Sequence, residues 1–134
     1  QRYVAAIACL KKALYLDPFE WIVCYNLGLV HLLTGQHASS FHYLSASINL
    51  KPDFPSSYML LGVCLTRLND GDNACSAYEK AVELDPADHL FRLNFAAALA
   101  ALGRTDDAKA QAREFERLFA DLDAEQQASD PVVA

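Results

Sequence analysis

Three short phrases recur along the chain: ALYLDP at residues 13–18, SINLKP at 47–52 and AVELDP at 81–86. Their final prolines stand at positions 18, 52 and 86, so the spacing between phrases is constant. Proline disfavours helix in the residue before it, so each phrase predicts the end of one helix and the start of a turn. A period of about 34 residues is typical of paired helices that stack into a solenoid. Such units present extended surfaces to other proteins, which favours binding over catalysis.

The same register places small residues and turns inside each repeat. Gly28 and Gly62 are separated by one full period, with Ala96 third in the series, and a small side chain there lets the helices of a pair approach closely. The residues suited to a left-handed turn after the first helix of each pair are Gly35, Asn69 and Gly103. The predicted helix pairs are 20–33 with 37–50, 54–67 with 71–84, and 88–101 with 105–122.

The two ends of the chain depart from this pattern. Residues 3–16 match only the second half of a repeat, so we expect that helix to close a truncated repeat and the natural chain to continue upstream. Its apolar face, with Val4, Ile7 and Leu14, would otherwise be exposed. Residues 123–134 have the composition of a disordered, acidic tail. The predicted domain is therefore one solenoid over residues 1–122, with repeats at about 19–52, 53–86 and 87–122.

Composition restricts the classes of partner. Hydrophobic residues make up 53% of the 134 residues and the net charge is −6. No stretch reaches the roughly 20 apolar residues that cross a bilayer, so direct membrane insertion is not expected. Nucleic acid is also disfavoured as a partner, because its binding requires clustered Lys and Arg. The four cysteines form no C-x-x-C pair, which predicts buried, reduced thiols in the cytoplasm.

No arrangement of residues predicts catalysis, a metal site or a cofactor site. His37 and His42 lie five positions apart and so do not share the helix face that a two-histidine zinc site needs. His31 and His37 are interpreted as aromatic substitutes in the packing. The serines occur without a G-x-S-x-G turn, and the glycines form no phosphate-binding loop. We therefore expect that the protein is not an enzyme.

The pattern resembles the tetratricopeptide repeat, whose signature includes W-x2-L-G-x2-Y, then A-x3-F and a closing proline. In the second repeat the matching residues are Tyr58, Leu61, Gly62, Leu65, Ala74, Tyr78 and Pro86. The resemblance covers the chain up to about residue 122. It implies an all-α, right-handed superhelical solenoid of three full repeats preceded by an orphan helix.

In that family the first helix of each pair lines the concave face of the superhelix. The inward positions of those helices give a strongly apolar groove, which we predict to be a protein-binding surface. Its residues are Ile22, Tyr25, Leu29, Leu32, Leu33, Met59, Val63, Arg67, Leu90, Leu93, Ala97 and Ala101.

Two specialised forms of the repeat are disfavoured. The clamp with which some co-chaperones bind the C-terminal carboxylate of heat-shock chaperones would need Lys and Asn at the positions of Tyr25 and Leu29, and Lys and Arg at those of Leu90 and Asn94. None of the four residues matches. The asparagine ladder of the sugar-transferase superhelix would use Asn26 and Asn94, but Leu60 interrupts it.

Longer stretches go beyond the generic repeat: YVAAIACLK at 3–11, YNLGLVHL at 25–32, FHYLSASIN at 41–49 and YMLLGV at 58–63. They resemble the C-terminal repeats of the fourth Bardet–Biedl syndrome family. The resemblance implies a subunit of the BBSome, a hetero-oligomer that carries membrane proteins in cilia with intraflagellar transport and functions in ciliogenesis. It also implies contacts with other BBSome subunits and with a pericentriolar-satellite scaffold, in cytoplasm, cilium, basal body and centriolar satellites.

Two functional hypotheses remain. In the first, the chain is a constitutive scaffold and partner subunits fill the groove permanently. In the second, it is a transient peptide-binding adaptor or a module resembling a co-chaperone. An isolated permanent subunit is expected to self-associate, whereas an adaptor is expected to stay monomeric.

Overall fold

The computed structural model describes residues 2–122 and consists of seven helices joined by short turns. The helices are α1 (Arg2–Leu16), α2 (Trp21–Leu33), α3 (His37–Leu50), α4 (Pro55–Arg67), α5 (Gly71–Leu84), α6 (His89–Ala101) and α7 (Thr105–Ala120). The described residues include no strand, and the all-α prediction is confirmed. The predicted disordered tail, 123–134, lies outside the described residues.

The helices pack as three antiparallel pairs. Helix α2 packs on α3, α4 on α5 and α6 on α7, and the pairs are linked through contacts of α3 with α4 and of α5 with α6. The first helices of successive pairs, α2, α4 and α6, also approach one another. No comparable contact joins α3 to α5 in the described part of the chain. The stack is therefore tighter on the first-helix side, which makes that side the inner side of the curve.

Two glycines bring the helices of a pair together. A Cβ atom added to Gly28 would lie 2.6 Å from Leu44 Cδ2, and one added to Gly62 would lie 2.6 Å from Tyr78 Cε1. Leu44 and Tyr78 are both buried, so neither can move aside freely. The close approach predicted from the repeat register is confirmed for these two pairs.

The turns after the first helices take the predicted left-handed conformation. Gly35 has φ 77°, Asn69 has φ 62° and Gly103 has φ 78°. Asparagine tolerates this region better than most residues with a Cβ atom, which explains how it replaces glycine at position 69. After each turn the chain enters the second helix of the pair.

Two serine hydroxyl groups link α3 to α2 by hydrogen bonds. Ser40 Oγ donates to the Gly28 carbonyl at 2.7 Å, and Ser47 Oγ donates to the Trp21 carbonyl at 2.9 Å. Both serines are fully buried. A buried hydroxyl is tolerated only when it is hydrogen-bonded, so these bonds explain how two polar residues occupy small-residue packing positions.

Cysteine burial differs from the prediction at one position. Cys24, Cys64 and Cys75 are buried, but Cys9 is exposed. Cys9 lies on α1, which has no buried residue and packs mainly against α2. Helical periodicity alone could not show that the Cys9 side of α1 meets no neighbour.

Among the described helices, none is both long and apolar enough to cross a membrane.

Candidate protein-binding surface

The candidate surface lies on the side of α4 that faces away from the second helices. Met59, Val63 and Arg67 recur at every fourth position and occupy one side of the helix. Tyr58 and Leu65 lie on the other side. Because α2 and α6 both approach α4, the Met59 side belongs to a surface shared by the three first helices.

The structure divides the twelve predicted groove residues by exposure. The exposed ones are Ile22, Leu33, Arg67, Ala97 and Ala101. The half-buried ones are Tyr25, Leu29, Met59, Val63, Leu90 and Leu93. With exposed fractions of 47% and 57%, Ile22 and Leu33 are the aliphatic residues of this set most available to a partner.

Leu32 is a correction to the predicted groove. Its exposed fraction is 4%, and it packs in a core cluster with Leu44, Leu60 and Cys64. Successive helical residues point about 100° apart, so Leu33 faces solvent while Leu32 faces the next pair. A residue in this core cannot contact a partner.

The half-buried groove residues also pack against the hydrophobic core. Tyr25, Leu29, Met59 and Val63 pack against the cluster that contains Leu32. They form the floor of the surface, whereas Ile22 and Leu33 form its accessible parts. A polar substitution in the floor would therefore affect folding as well as binding.

Two aromatic residues that the sequence analysis did not single out fix one end of the surface. Phe54 packs against Trp21 with ring centroids 4.7 Å apart, and meets Tyr25 edge-on at 5.3 Å. Burial raises the pKa of Tyr25, although a hydrogen bond with Ser56 opposes that rise. Phe54 immediately precedes α4. The sequence analysis placed it at the start of the helix predicted over 54–67, and the repeat register did not indicate its contact with the preceding pair.

His31 takes the packing role predicted for it. Its ring is 3% exposed and stacks on Tyr43, with centroids 5.4 Å apart and planes 2° apart. Nδ1 lies 3.2 Å from Gln36 Oε1, and Nε2 is buried without a hydrogen-bond partner. Burial lowers the pKa of His31, the Gln36 hydrogen bond opposes this, and the charge of Lys11 adds to the lowering. The neutral imidazole is therefore the form that suits this site.

The buried thiols are poorly suited to nucleophilic chemistry. Burial raises the pKa of Cys24, Cys64 and Cys75, which disfavours the reactive thiolate. Cys64 Sγ instead donates to the His37 carbonyl at 3.2 Å. Within residues 2–122, no three His, Cys, Asp or Glu side chains come together as a metal site.

Family models of the tetratricopeptide repeat match residues 23–54, 55–88 and 77–110. The chain belongs to the tetratricopeptide-repeat family. The matched segments together run from the first turn of α2 into α7, so the repeat covers most of the described helices.

The curated relatives are more similar to this chain than membership of the tetratricopeptide-repeat family alone requires. The chain is 53% identical over 117 residues to the BBSome complex member BBS4 of Bos taurus, which covers 87% of this chain and 22% of that protein. It is 54% identical over 117 residues to the protein of the same name from Xenopus tropicalis, covering 87% of this chain and 23% of that protein. The chain thus spans less than a quarter of the length of these relatives.

Solved tetratricopeptide structures confirm the solenoid. A crystal structure of MamA superposes with a TM-score of 0.83 at 23% identity, covering 96% of this chain and 72% of that one. Identity at that level supports the fold alone.

The specialised tetratricopeptide sites remain disfavoured for reasons visible in the structure. Leu60, the residue that interrupts the asparagine ladder, is buried in the core cluster. Asn26 and Asn94 are half-buried on either side of that interruption. At the co-chaperone clamp positions, Tyr25 and Leu29 form part of the apolar floor and offer no cationic group to a carboxylate.

Proposed function

We propose that this chain is part of a non-catalytic scaffold subunit of the BBSome. Identity of 53% over 87% of the chain to BBSome complex member BBS4 carries the proposal. The implied process is trafficking of membrane proteins in cilia, together with ciliogenesis. The implied locations are the cytoplasm, cilium, basal body and centriolar satellites.

The groove geometry supports a permanent partner over a transient one. Exposed Ile22 and Leu33 flank a half-buried apolar floor on the first-helix side of the solenoid. Contiguous apolar surface of this kind is a liability in a free chain and marks a protein interface. We propose that the groove, formed by the predicted residues other than Leu32, is covered by other BBSome subunits; contact with a pericentriolar-satellite scaffold belongs to the same proposal.

The experiment is a charge substitution on the exposed part of the groove. Leu33→Asp is introduced into the full-length parent protein, which is isolated from ciliated cells and analysed for stoichiometric BBSome subunits. Leu33 is more than half exposed, so the variant is expected to fold but to lose those subunits, because burial would leave its carboxylate unpaired. Lys109→Asp, on the exposed surface of α7, is the matched control and is expected to keep them.

The outcomes separate the hypotheses. Stoichiometric recovery with the native groove and loss with Leu33→Asp support a constitutive scaffold. Recovery of chaperones or of many substoichiometric proteins instead supports a transient adaptor. Full retention of the subunits by a folded Leu33→Asp variant overturns the groove assignment.

A further inference from the structure

A second cleft lies on the opposite side of the solenoid, where α3 and α5 flank α4. Its volume is about 670 Å³, and it opens to solvent. Its apolar lining consists of Phe41 from α3, of Tyr58, Leu61, Leu65 and Leu68 from α4 and its C-terminal end, and of Ala77 from α5. Phe41 is 41% exposed although it is one of the largest apolar side chains here. This cleft shares none of its lining with the proposed groove.

The equivalent cleft one repeat later is largely filled by the chain itself. The space between α5 and α7 measures about 280 Å³. There Arg92 Nη1 donates to Gln111 Oε1 at 3.0 Å. The equivalent residues one repeat earlier are Tyr58 and Ala77, and the small Ala77 cannot extend across the space as Gln111 does. At these two positions the larger cleft has Tyr58 and Ala77 where the smaller one has the hydrogen-bonded Arg92 and Gln111.

One wall of the open cleft is formed by Phe41 of α3, which belongs to a segment without formal charge. Residues 21–50, which form α2 and α3, contain no Asp, Glu, Lys or Arg. Exposed helix surfaces normally carry charged residues opposite the apolar stripe. An uncharged wall can be covered by a partner without leaving a desolvated charge unpaired. The composition of α3 therefore suits a surface that is buried against protein.

The other wall supplies polar groups, one cation and, just before α5, the carboxylate of Asp70, which accepts hydrogen bonds from Asn73 N and Nδ2. Asn73, Ser76 and Lys80 of α5 line the cleft. Lys80 Nζ lies 3.8 Å from Glu83 Oε2, with both side chains about half exposed. An ion pair of this kind contributes little, so Lys80 remains available to a partner carboxylate. From Asn73 to Lys80 the wall spans about 10 Å of helix, which matches two turns of a docked helix.

We propose that this cleft docks an amphipathic helix of another protein, with neutral leucine-sized side chains between α3 and α5 and a carboxylate beside Lys80. The uncharged α3 wall selects the apolar face of the partner, and Lys80 sets its orientation. This second surface goes beyond the proposed scaffold function, because it lets one chain hold two partners on opposite faces.

The test places a photo-crosslinking amino acid, p-benzoylphenylalanine, at position 41 of the full-length parent in ciliated cells. The expected crosslink maps to a segment of another protein with helical apolar periodicity and an acidic residue near the crosslinked turn. A crosslink only to a second copy, only to residues 123–134 of the same chain, or to no protein overturns the proposal.

The mapped segment is then synthesised and its affinity for the full-length chain is measured by fluorescence anisotropy. Lys80→Glu is expected to weaken binding roughly tenfold, and changing the acidic residue of the segment to Lys is expected to restore it. Unchanged affinity for Lys80→Glu, or no restoration, overturns the assigned orientation and the proposal with it.

A double variant tests the cleft without relying on charge. Tyr58→Arg with Ala77→Gln recreates the Arg92–Gln111 arrangement and is expected to fill the cleft. Circular dichroism and thermal unfolding verify its fold. If the double variant folds, it is expected to lose its affinity for the synthesised segment. A folded double variant that binds the segment with native affinity contradicts the proposal. Leu33→Asp should leave this crosslink intact, so failure of the groove and failure of the cleft are distinguishable.

Discussion

At the scale of single residues, equivalent positions perform the same task with different chemistry. Tyr58 Oη donates to the Pro52 carbonyl at 2.8 Å, and Arg92 Nη2, one repeat later, donates to the Pro86 carbonyl at 3.4 Å. Both bonds connect the first helix of a pair to the turn that precedes it. The second and third repeats therefore share a hydrogen-bond donor at this position and not a residue type.

His31 makes folding pH-dependent. Burial lowers its pKa in the folded chain below the unfolded value of 6.5, so the folded state binds fewer protons than the unfolded state. The free energy of unfolding is therefore fully retained above pH 6.5 and should fall as the pH drops below it. Urea unfolding of this chain at pH 7.5 and at pH 5.5 measures the difference.

The matched variant is His31→Phe, which keeps a flat ring to stack on Tyr43 and removes the unpartnered Nε2. Gln36, which is exposed, can bond water when the imidazole is absent. In this variant the free energy of unfolding should differ less between the two pH values than it does in the native chain. An equal difference in both proteins would show that other groups cause it.

At the scale of helices, the separation within a pair is set by one small residue against one large residue. Gly28 faces Leu44 and Gly62 faces Tyr78. In the third repeat Ala96 takes the glycine position, and the residue equivalent to Tyr78 is Ala112. A larger residue on the first helix thus accompanies a smaller one on the second.

Gly62→Ala decides whether this contact limits stability. Helix propensity alone predicts stabilisation by about 1 kcal/mol, whereas the clash with the buried Tyr78 ring predicts destabilisation by about 1–3 kcal/mol. We expect net destabilisation, measured as a lower midpoint in urea. Ala96→Gly is the control and should cost only about 1 kcal/mol, since it creates no clash. An increase in stability for Gly62→Ala would refute the close-approach explanation.

At the scale of the whole molecule, each helix contacts mainly its neighbours along the chain. In such a solenoid, stability is approximately a sum of repeat stabilities and interface terms, so its two ends can differ from its middle. The largest core cluster joins α4, α5, α6 and the start of α7 through buried residues such as Leu65, Tyr78 and Leu99. In contrast, α1 has no buried residue.

Amide hydrogen exchange should therefore be graded along this chain. Local opening exposes amides more readily where few apolar contacts are lost. We expect α1 to exchange fastest among the seven helices and α4 and α5 to exchange slowest, as measured by mass spectrometry of peptic fragments. Protection of α1 equal to that of α5 would contradict this distribution of stability.

The sequence by itself determined the repeat, and it determined the helix bounds to within two residues. It predicted helices at 37–50 and 71–84, and the structure has them at His37–Leu50 and Gly71–Leu84. These bounds depend on local signals. Each of these helices begins shortly after a residue suited to the left-handed turn and ends shortly before a proline. Such signals act within a few residues, so they can be recognised without knowing the neighbours in space.

Only the tertiary structure decided which apolar residues face a neighbouring helix and which face solvent. Leu32 and Leu33 are adjacent and chemically identical, yet one is core and the other is exposed. The contact of Phe54 with Trp21 and the open cleft beside Ala77 likewise depend on how successive pairs are placed. Burial and clefts are properties of several helices packed together, and helical periodicity within one segment does not contain that information.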